Sequence, residues 1–160
     1  MAIVMVRVDE RLIHGQMALA WLRQYNVDTV IVIDDESAND MMKTMLLQMA
    51  VSGTIKCIVT TLANAKGVIE ANKNKNLFLC TKLPAVFLEL LKQGVAIPQI
   101  NIGGIYSTPG RTPYYKTIFL DDAIKRDILA LEQYPVKVEY RVVPGDTEID
   151  IISELKKKAK

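Results

Sequence analysis

Apolar runs of four to eight residues alternate along the whole chain with longer stretches of helical periodicity. The strand-like runs are Ala2–Val8, Thr29–Ile33, Ile55–Val59, Leu77–Cys80, Gln99–Ile102, Thr117–Leu120 and Val136–Val143. Helical patterns fill Gly15–Gln24, a stretch opening at Ser37 and running through Met49, Leu62–Ala71, Pro84–Gln93, Asp121 to about Gln133, and Glu148–Lys158. Ser37 followed by Asp40 resembles a capping box with Asp in place of Glu. Gly94 closes the fourth helix as a glycine just past the end. Met41, Met42, Met45, Leu46 and Met49 read as the core-facing side of the second helix. Uninterrupted apolar strands imply burial on both faces, and strand–helix alternation with short connections implies parallel pairing. The pattern predicts an α/β fold: an open, mostly parallel twisted sheet of about seven strands with helices on both faces. The period-2 alternation of Val136–Val143 places it at a sheet edge, where an antiparallel strand would fit.

Length and composition narrow this further. The chain has 160 residues, half of them hydrophobic and 24% charged, which suits one domain over 1–160 with one core. The net charge is +2, and removing Lys156, Lys157, Lys158 and Lys160 leaves −2. The body of the protein therefore lacks a broad basic field, and no nucleic-acid partner is expected. The terminal lysines suit the last turn of a helix, where cations oppose the dipole. Two cysteines, Cys57 and Cys80, make neither a disulfide framework nor a metal-ligand set. The apolar run at the N-terminus is too short for a signal peptide, and no stretch is long and apolar enough to cross a bilayer. A cytoplasmic protein without direct membrane insertion is expected.

In open α/β sheets the chemistry sits at the carboxyl ends of the strands. The most loaded loop there is Asp9-Glu10-Arg11-Leu12-Ile13-His14-Gly15-Gln16, which holds the only histidine of the chain. His14 lies just after a strand and just before a helix. A neutral imidazole nitrogen is a good nucleophile near pH 7, and a helix N-terminus presents free N–H groups to an incoming phosphate. Arg11 could hold phosphoryl oxygens by charge-assisted bonds, and Asp9 could fix the ring tautomer or orient Arg11. Gly15 removes bulk beside the histidine. The combination suits phosphoryl transfer onto His14. One histidine and no clustered cysteines argue against a metal hydrolase, and no metal or cofactor is expected. There is no glycine-lysine phosphate loop, no G-x-G-x-x-G after the first strand and no G-x-S-x-G elbow.

Other loops at the same edge hold weaker candidates. Asp34-Asp35 could serve a receiver-like aspartyl phosphoacceptor, or supply negative charge at a helix start; Asp35 could also face the loop of His14. Cys80 could carry a phosphoryl group as a thiolate, though its surroundings are core-like. Gly103-Gly104 could let the backbone approach a ligand or partner, or could simply turn. Arg111 and Lys116 flank that loop as candidate anion contacts. Ile105, Tyr106 and Tyr114 would add contact area to a broad, shallow docking face around His14, with Arg11 and Arg111 as its charges.

The element R-V-D-E-R-L-I-H-G-Q, Arg7 to Gln16, resembles the signature of the IIB components of the mannose/fructose/sorbose family of the bacterial sugar phosphotransferase system. Three further segments agree in order: 34–40, 101–104 and Val138-Glu139-Tyr140-Arg141-Val142-Val143-Pro144. The stretch Arg111 to Tyr115 diverges from mannose-type members. The resemblance implies a cytoplasmic phosphocarrier, peripherally associated with a membrane transporter. It implies that His14 accepts a phosphoryl group from a phosphohistidine of the IIA partner and passes it to a sugar imported by the IIC and IID components. It gives Arg11 the phosphate-clamping role, with Asp9, Gly15 and Gln16 in the same phosphate-binding loop. A non-catalytic regulator on the same fold, with an inert His14, is the competing class.

Overall fold

The computed structural model describes residues 2–51 and 53–158, without the side chains of Ala2, Gln16 and Met17. In chain order the elements are β1 (Ala2–Asp9), α1 (Gly15–Gln24), β2 (Thr29–Ile33), α2 (Asp35–Ala38), α3 (Met41–Ala50), β3 (Lys56–Thr60), α4 (Leu62–Ala71), β4 (Asn76–Thr81), α5 (Pro84–Lys92) and β5 (Gln99–Gly104). They continue with β6 (Thr112–Tyr115), β7 (Ile118–Leu120), α6 (Asp122–Ala130), a 3-10 turn (Leu131–Gln133), β8 (Lys137–Tyr140), β9 (Ile149–Asp150) and α7 (Ile151–Lys158). The main sheet has seven strands in the order β3-β2-β4-β1-β5-β8-β9, parallel except for β9.

Alternation along the strands sends side chains to two faces. One face carries Val6, Val8, Ile31, Ile33, Leu77, Leu79, Ile100 and Ile102 against α4, α5, α6 and α7. The other carries Met5, Val30, Val32, Phe78 and Cys80 against α1 and α3. All five residues of β2 are buried, as its unbroken TVIVI run demands. On the α1 face, however, the half-sheet β1-β5-β8 presents Arg7, Asn101 and Glu139, which are buried although polar.

Five expectations are corrected. Thr117–Leu120 does not join the main sheet; β7 pairs with β6 as a separate antiparallel hairpin, and β9 takes the seventh place. The strand expected at the edge, β8, lies inside it, parallel to β5, and the short β9 forms the antiparallel edge. The second helix is two helices. Asp34 caps α2 by accepting from the Ser37 backbone N–H (3.1 Å) and hydroxyl (2.6 Å), and Asp40 caps α3 by accepting from the Lys43 N–H. Ser37 is therefore a donor inside α2, and no capping box forms. The methionines of α3 are not core either: of that helix only Leu47 is buried.

The topology fixes where a site can form. β1 sends its connection to the α1 face, while its neighbours β4 and β5 send theirs to the other face. Chain leaves the mouth of β1 in opposite directions, so a crevice opens at its carboxyl end.

Candidate functional site

Asp9 ends β1 and organises the loop that follows. Its backbone carbonyl accepts from Leu12 N (2.8 Å), and its carboxylate Oδ1 accepts from Arg11 N (2.9 Å). These two bonds turn the chain so tightly that Leu12 adopts a left-handed φ of +58°. That conformation costs a β-carbon-bearing residue about 1–2 kcal/mol. Burial of the Leu12 and Ile13 side chains in the core under α1 holds the loop down against it. His14 follows, extended (φ −152°, ψ 140°), as the N-cap residue of α1. Gly15 then takes a φ of +56°, open to glycine without strain. Two residues are thus pinned inward and the histidine between them and the helix stays half-exposed.

The His14 ring gives no hydrogen bond to the start of α1, and the first turn of that helix holds no acidic side chain. The helix N-terminus therefore keeps its positive end uncompensated beside the imidazole. Nδ1 of His14 is buried and lacks a hydrogen-bond partner. Leaving such an atom unpaired costs about 1–3 kcal/mol, and such atoms in native proteins call for an explanation.

Asp9 does not reach outward. It is fully buried, its Oδ2 is paired with Arg7 Nη2 at 3.1 Å, and its Oδ1 also accepts from the Tyr106 hydroxyl at 3.2 Å. The Tyr106 ring in turn lies under the exposed Arg11 guanidinium, 4.3 Å from its centroid. Asp9 thus acts on Arg11 through its own oxygen at the Arg11 backbone and through the ring of Tyr106. This is a floor for the loop and not a phosphate contact. Burial, followed by the Asp9 charge, pushes the Tyr106 hydroxyl up to about 12, so it donates to Asp9 throughout the neutral range.

Beneath Asp9 runs a chain of buried charges that the sequence did not reveal. Arg7 donates to the Asn101 side chain and to the Arg141 carbonyl (3.3 Å). Asn101 donates to both oxygens of Glu139 (3.1 and 3.2 Å), which holds Arg141 through two bonds of 3.0 Å. The Arg7 and Arg141 guanidinium groups both face the Trp21 indole of α1, at 5.1 and 5.0 Å. Trp21 also donates to the Val142 carbonyl (3.1 Å). The helix that carries His14 at its start is thereby fastened to the polar half of the sheet.

Gly103 and Gly104 belong to β5 and sit beside the His14 loop, where Glu10 N donates to Gly104 O (2.9 Å). A Cβ on Gly103 would overlap the Arg7 guanidinium. One on Gly104 would lie 2.6 Å from Tyr106 Cζ and 3.0 Å from Asp9 Oδ1. The paired glycines make room for the floor of the site; they are neither a turn nor a ligand cradle.

Other candidates go elsewhere. Asp35 accepts from Leu62 N (2.8 Å), toward β3 and α4, so it is tied on the side away from β1. Asp34 is occupied by Ser37 and by Lys82 (3.3 Å). Arg111 holds both oxygens of Glu10 (2.6 and 3.1 Å) and is no free anion contact. Ile105 is fully buried and offers no docking area, whereas Tyr106 is half-exposed. Tyr114 is also half-exposed, with the ammonium groups of Lys125 and Lys158 each 5.5 Å from its ring. Cys80 is buried, and desolvation pushes its thiol far up, away from the reactive thiolate. The Gln16 side chain lies outside the described residues. Among the described residues no helix is long and apolar enough to cross a membrane.

Known proteins share this fold. Residues 3–160 match the family described as "PTS system sorbose subfamily IIB component". The sorbose-specific EIIB component of Lacticaseibacillus casei is 31% identical over 157 residues, covering 97% of this chain and 96% of that protein. The mannose-specific EIIAB component of Escherichia coli (strain K12) is 32% identical over 165 residues; the match covers 98% of this chain but only 50% of that larger protein. The crystal structure of the IIBSor domain of the sorbose permease from Klebsiella pneumoniae superposes with a TM-score of 0.94 at 30% identity, over 98% of each chain. With a histidine loop at the mouth of β1, a matching fold and a family match that spans nearly the whole chain, this protein belongs to the sorbose-subfamily IIB components of the phosphotransferase system.

Proposed function

We propose that the protein is a phosphocarrier whose acceptor is His14. It takes a phosphoryl group from the phosphohistidine of a IIA partner and delivers it to a sugar imported by IIC and IID membrane components. The observation that carries this reading is His14 itself: a half-exposed N-cap histidine with an uncommitted, buried Nδ1 beside a bare helix N-terminus. In the first step a ring nitrogen lone pair attacks phosphorus and the phosphorus–nitrogen bond of the donor breaks. In the second a sugar hydroxyl oxygen attacks, the bond to His14 breaks, and the hydroxyl proton leaves to solvent or a base.

We assign the phosphoryl group to Nδ1. It has no hydrogen bond to lose, and it lies nearer the backbone than Nε2. A group bonded there would sit closest to the N–H groups opening α1. This reading requires the ring to rotate so that Nδ1 meets the donor. Arg11, propped on Tyr106, closes over the phosphoryl oxygens from the other side. Partnership with IIA is supported by the mannose-specific EIIAB relative, whose name joins both components and of which this chain matches half. Peripheral association with a transporter follows from the proposed second step.

The test is incubation with phosphoenolpyruvate, the general transfer proteins and a matched IIA. Stoichiometric label that is acid-labile and alkali-stable, and absent from His14→Ala, supports the reading. An alkali-labile adduct would move the acceptor to an aspartate. An unlabelled wild-type chain would make it a regulator.

A further inference from the structure

Helix α3 is amphipathic in the wrong direction. Met41, Met42, Met45, Leu46 and Met49 are 52–81% exposed, and apart from these only Val143 stands out among the described residues as an exposed large hydrophobic. The exposed apolar area is thus confined almost wholly to one helix face. Spacings of three and four residues align the five side chains into a stripe roughly 12 Å long. No charge interrupts it, since the Lys43 ammonium turns back to Glu36 and Gln48 donates to the Cys57 carbonyl.

We propose that this stripe is the interface of a two-fold homodimer, in which α3 of one copy packs antiparallel on α3 of another. A two-fold axis sets a patch against itself, and an uncharged apolar stripe is self-complementary where a charged one is not. At these exposures the five side chains present on the order of 600 Å² per copy, the upper end of the largest patch that monomers ordinarily leave open, and such patches are often functional. Complete coverage of the stripe on both copies would bury about 1,200 Å², the lower bound of stable specific interfaces. Alternating three- and four-residue spacing at Met42, Met45 and Met49 suits interdigitation at a shallow crossing angle, and unbranched methionines adapt to an imperfect fit. The position permits it. α3 packs over β3, the edge strand, with β2 and β4 between that edge and β1. The dimer would leave the mouth of β1 open for its partners.

Sedimentation equilibrium of the full chain between about 5 and 500 µM tests this without any phosphate chemistry. The expected result is a mass rising from 17.9 kDa toward twice that value. Methyl-labelled methionine spectra should show Met41, Met42, Met45 and Met49 shifting with concentration while core Met5 stays fixed. Met45→Glu, at the middle of the stripe, should weaken association at least 100-fold; Met45→Gln is the milder variant should the charge impair folding. A chain that remains at 17.9 kDa throughout, or a dimer that both variants leave intact, overturns the proposal. So does a monomeric wild type whose Met45→Gln variant loses binding to vesicles carrying the membrane components, which would give the face to that partner.

Discussion

Adding one methyl group to Gly103 should disable the floor of the site, although the residue never faces solvent. The new carbon would overlap the Nη1, Cζ and Nη2 atoms of Arg7. That guanidinium has nowhere cheap to go. It is held by Asp9, Asn101 and the Arg141 carbonyl, and it faces the Trp21 ring. Overpacking alone costs about 1–3 kcal/mol, and breaking one side of a buried ion pair about 3–5 kcal/mol. Partial relaxation of β5 would soften the sum, so we expect Gly103→Ala to destabilise by about 3 kcal/mol, or about 6–12 °C in Tm for a chain of this size. Gly67 supplies the control. It lies inside α4 with nothing within 4 Å of a Cβ, so Gly67→Ala should stabilise by about 0.5–1 kcal/mol. Urea unfolding of the three proteins measures both effects. If Gly103→Ala fell within about 0.5 kcal/mol of wild type, Arg7 would be free to swing aside and the buried charges would not be a fixed floor.

Further outcomes follow from the same geometry. Tyr106→Phe keeps the ring under Arg11 but loses the bond to Asp9; it should slow phosphate uptake several-fold and cost about 1 kcal/mol in urea melts. Because the folded-state hydroxyl is raised to about 12, its contribution is complete below pH 10 and disappears between 10 and 12. Wild type should therefore lose more stability than Tyr106→Phe across that interval, and parallel pH profiles would refute the bond. Arg11→Lys keeps the charge but not the planar fork; uptake should fall on the order of tenfold in a rapid-quench assay with Tm unchanged, and an equal rate would leave the helix N-terminus as sole phosphate anchor. Cys80→Ala should accept phosphate at full stoichiometry, and native protein at pH 8 should leave Cys80 unlabelled by a thiol reagent while Cys57, raised by burial to about 11, reacts slowly.

Sequence patterning found what depends on local periodicity. The TVIVI run of β2 is apolar from Val30 to Ile33 and buried at all five positions because both sheet faces cover it, so it reads unmistakably. Alternation in Val138-Glu139-Tyr140-Arg141 was also real, but its polar half is buried against Trp21, not solvated. A single sequence distinguishes charged residues from apolar ones, not paired burial from exposure. The same blindness ran the other way in α3. Seven of its ten residues are apolar, so no period marks which side faces in, and Leu47 alone does. The ties that set the site lie far apart in the chain, as Glu10 with Arg111 and Asp9 with Tyr106 do. His14, Arg11 and Gly15 were legible because their relevance rests on local order: strand, histidine, glycine, helix.

If His14 meets two partners in turn, as proposed, it cannot be held from above, because any side chain that gripped the ring would also block the approach. Rigidity has to come from below. In this chain it does so twice over: Leu12 and Ile13 anchor the end of the turn just before His14, and the Arg7–Asp9 pair fixes the end of β1. Burying that many charges is a poor source of stability, since apolar side chains of the same volume would serve as well or better. Their geometry offers something apolar packing does not. Carboxylate and guanidinium bonds have direction, so Asp9 sets the Arg11 N–H, the Tyr106 hydroxyl and Arg7 at once. Trp21 then carries the same constraint into α1, whose first residue follows His14. The buried network is therefore best understood as alignment of a strand end with a helix start, leaving between them a buried nitrogen of His14 still to be satisfied.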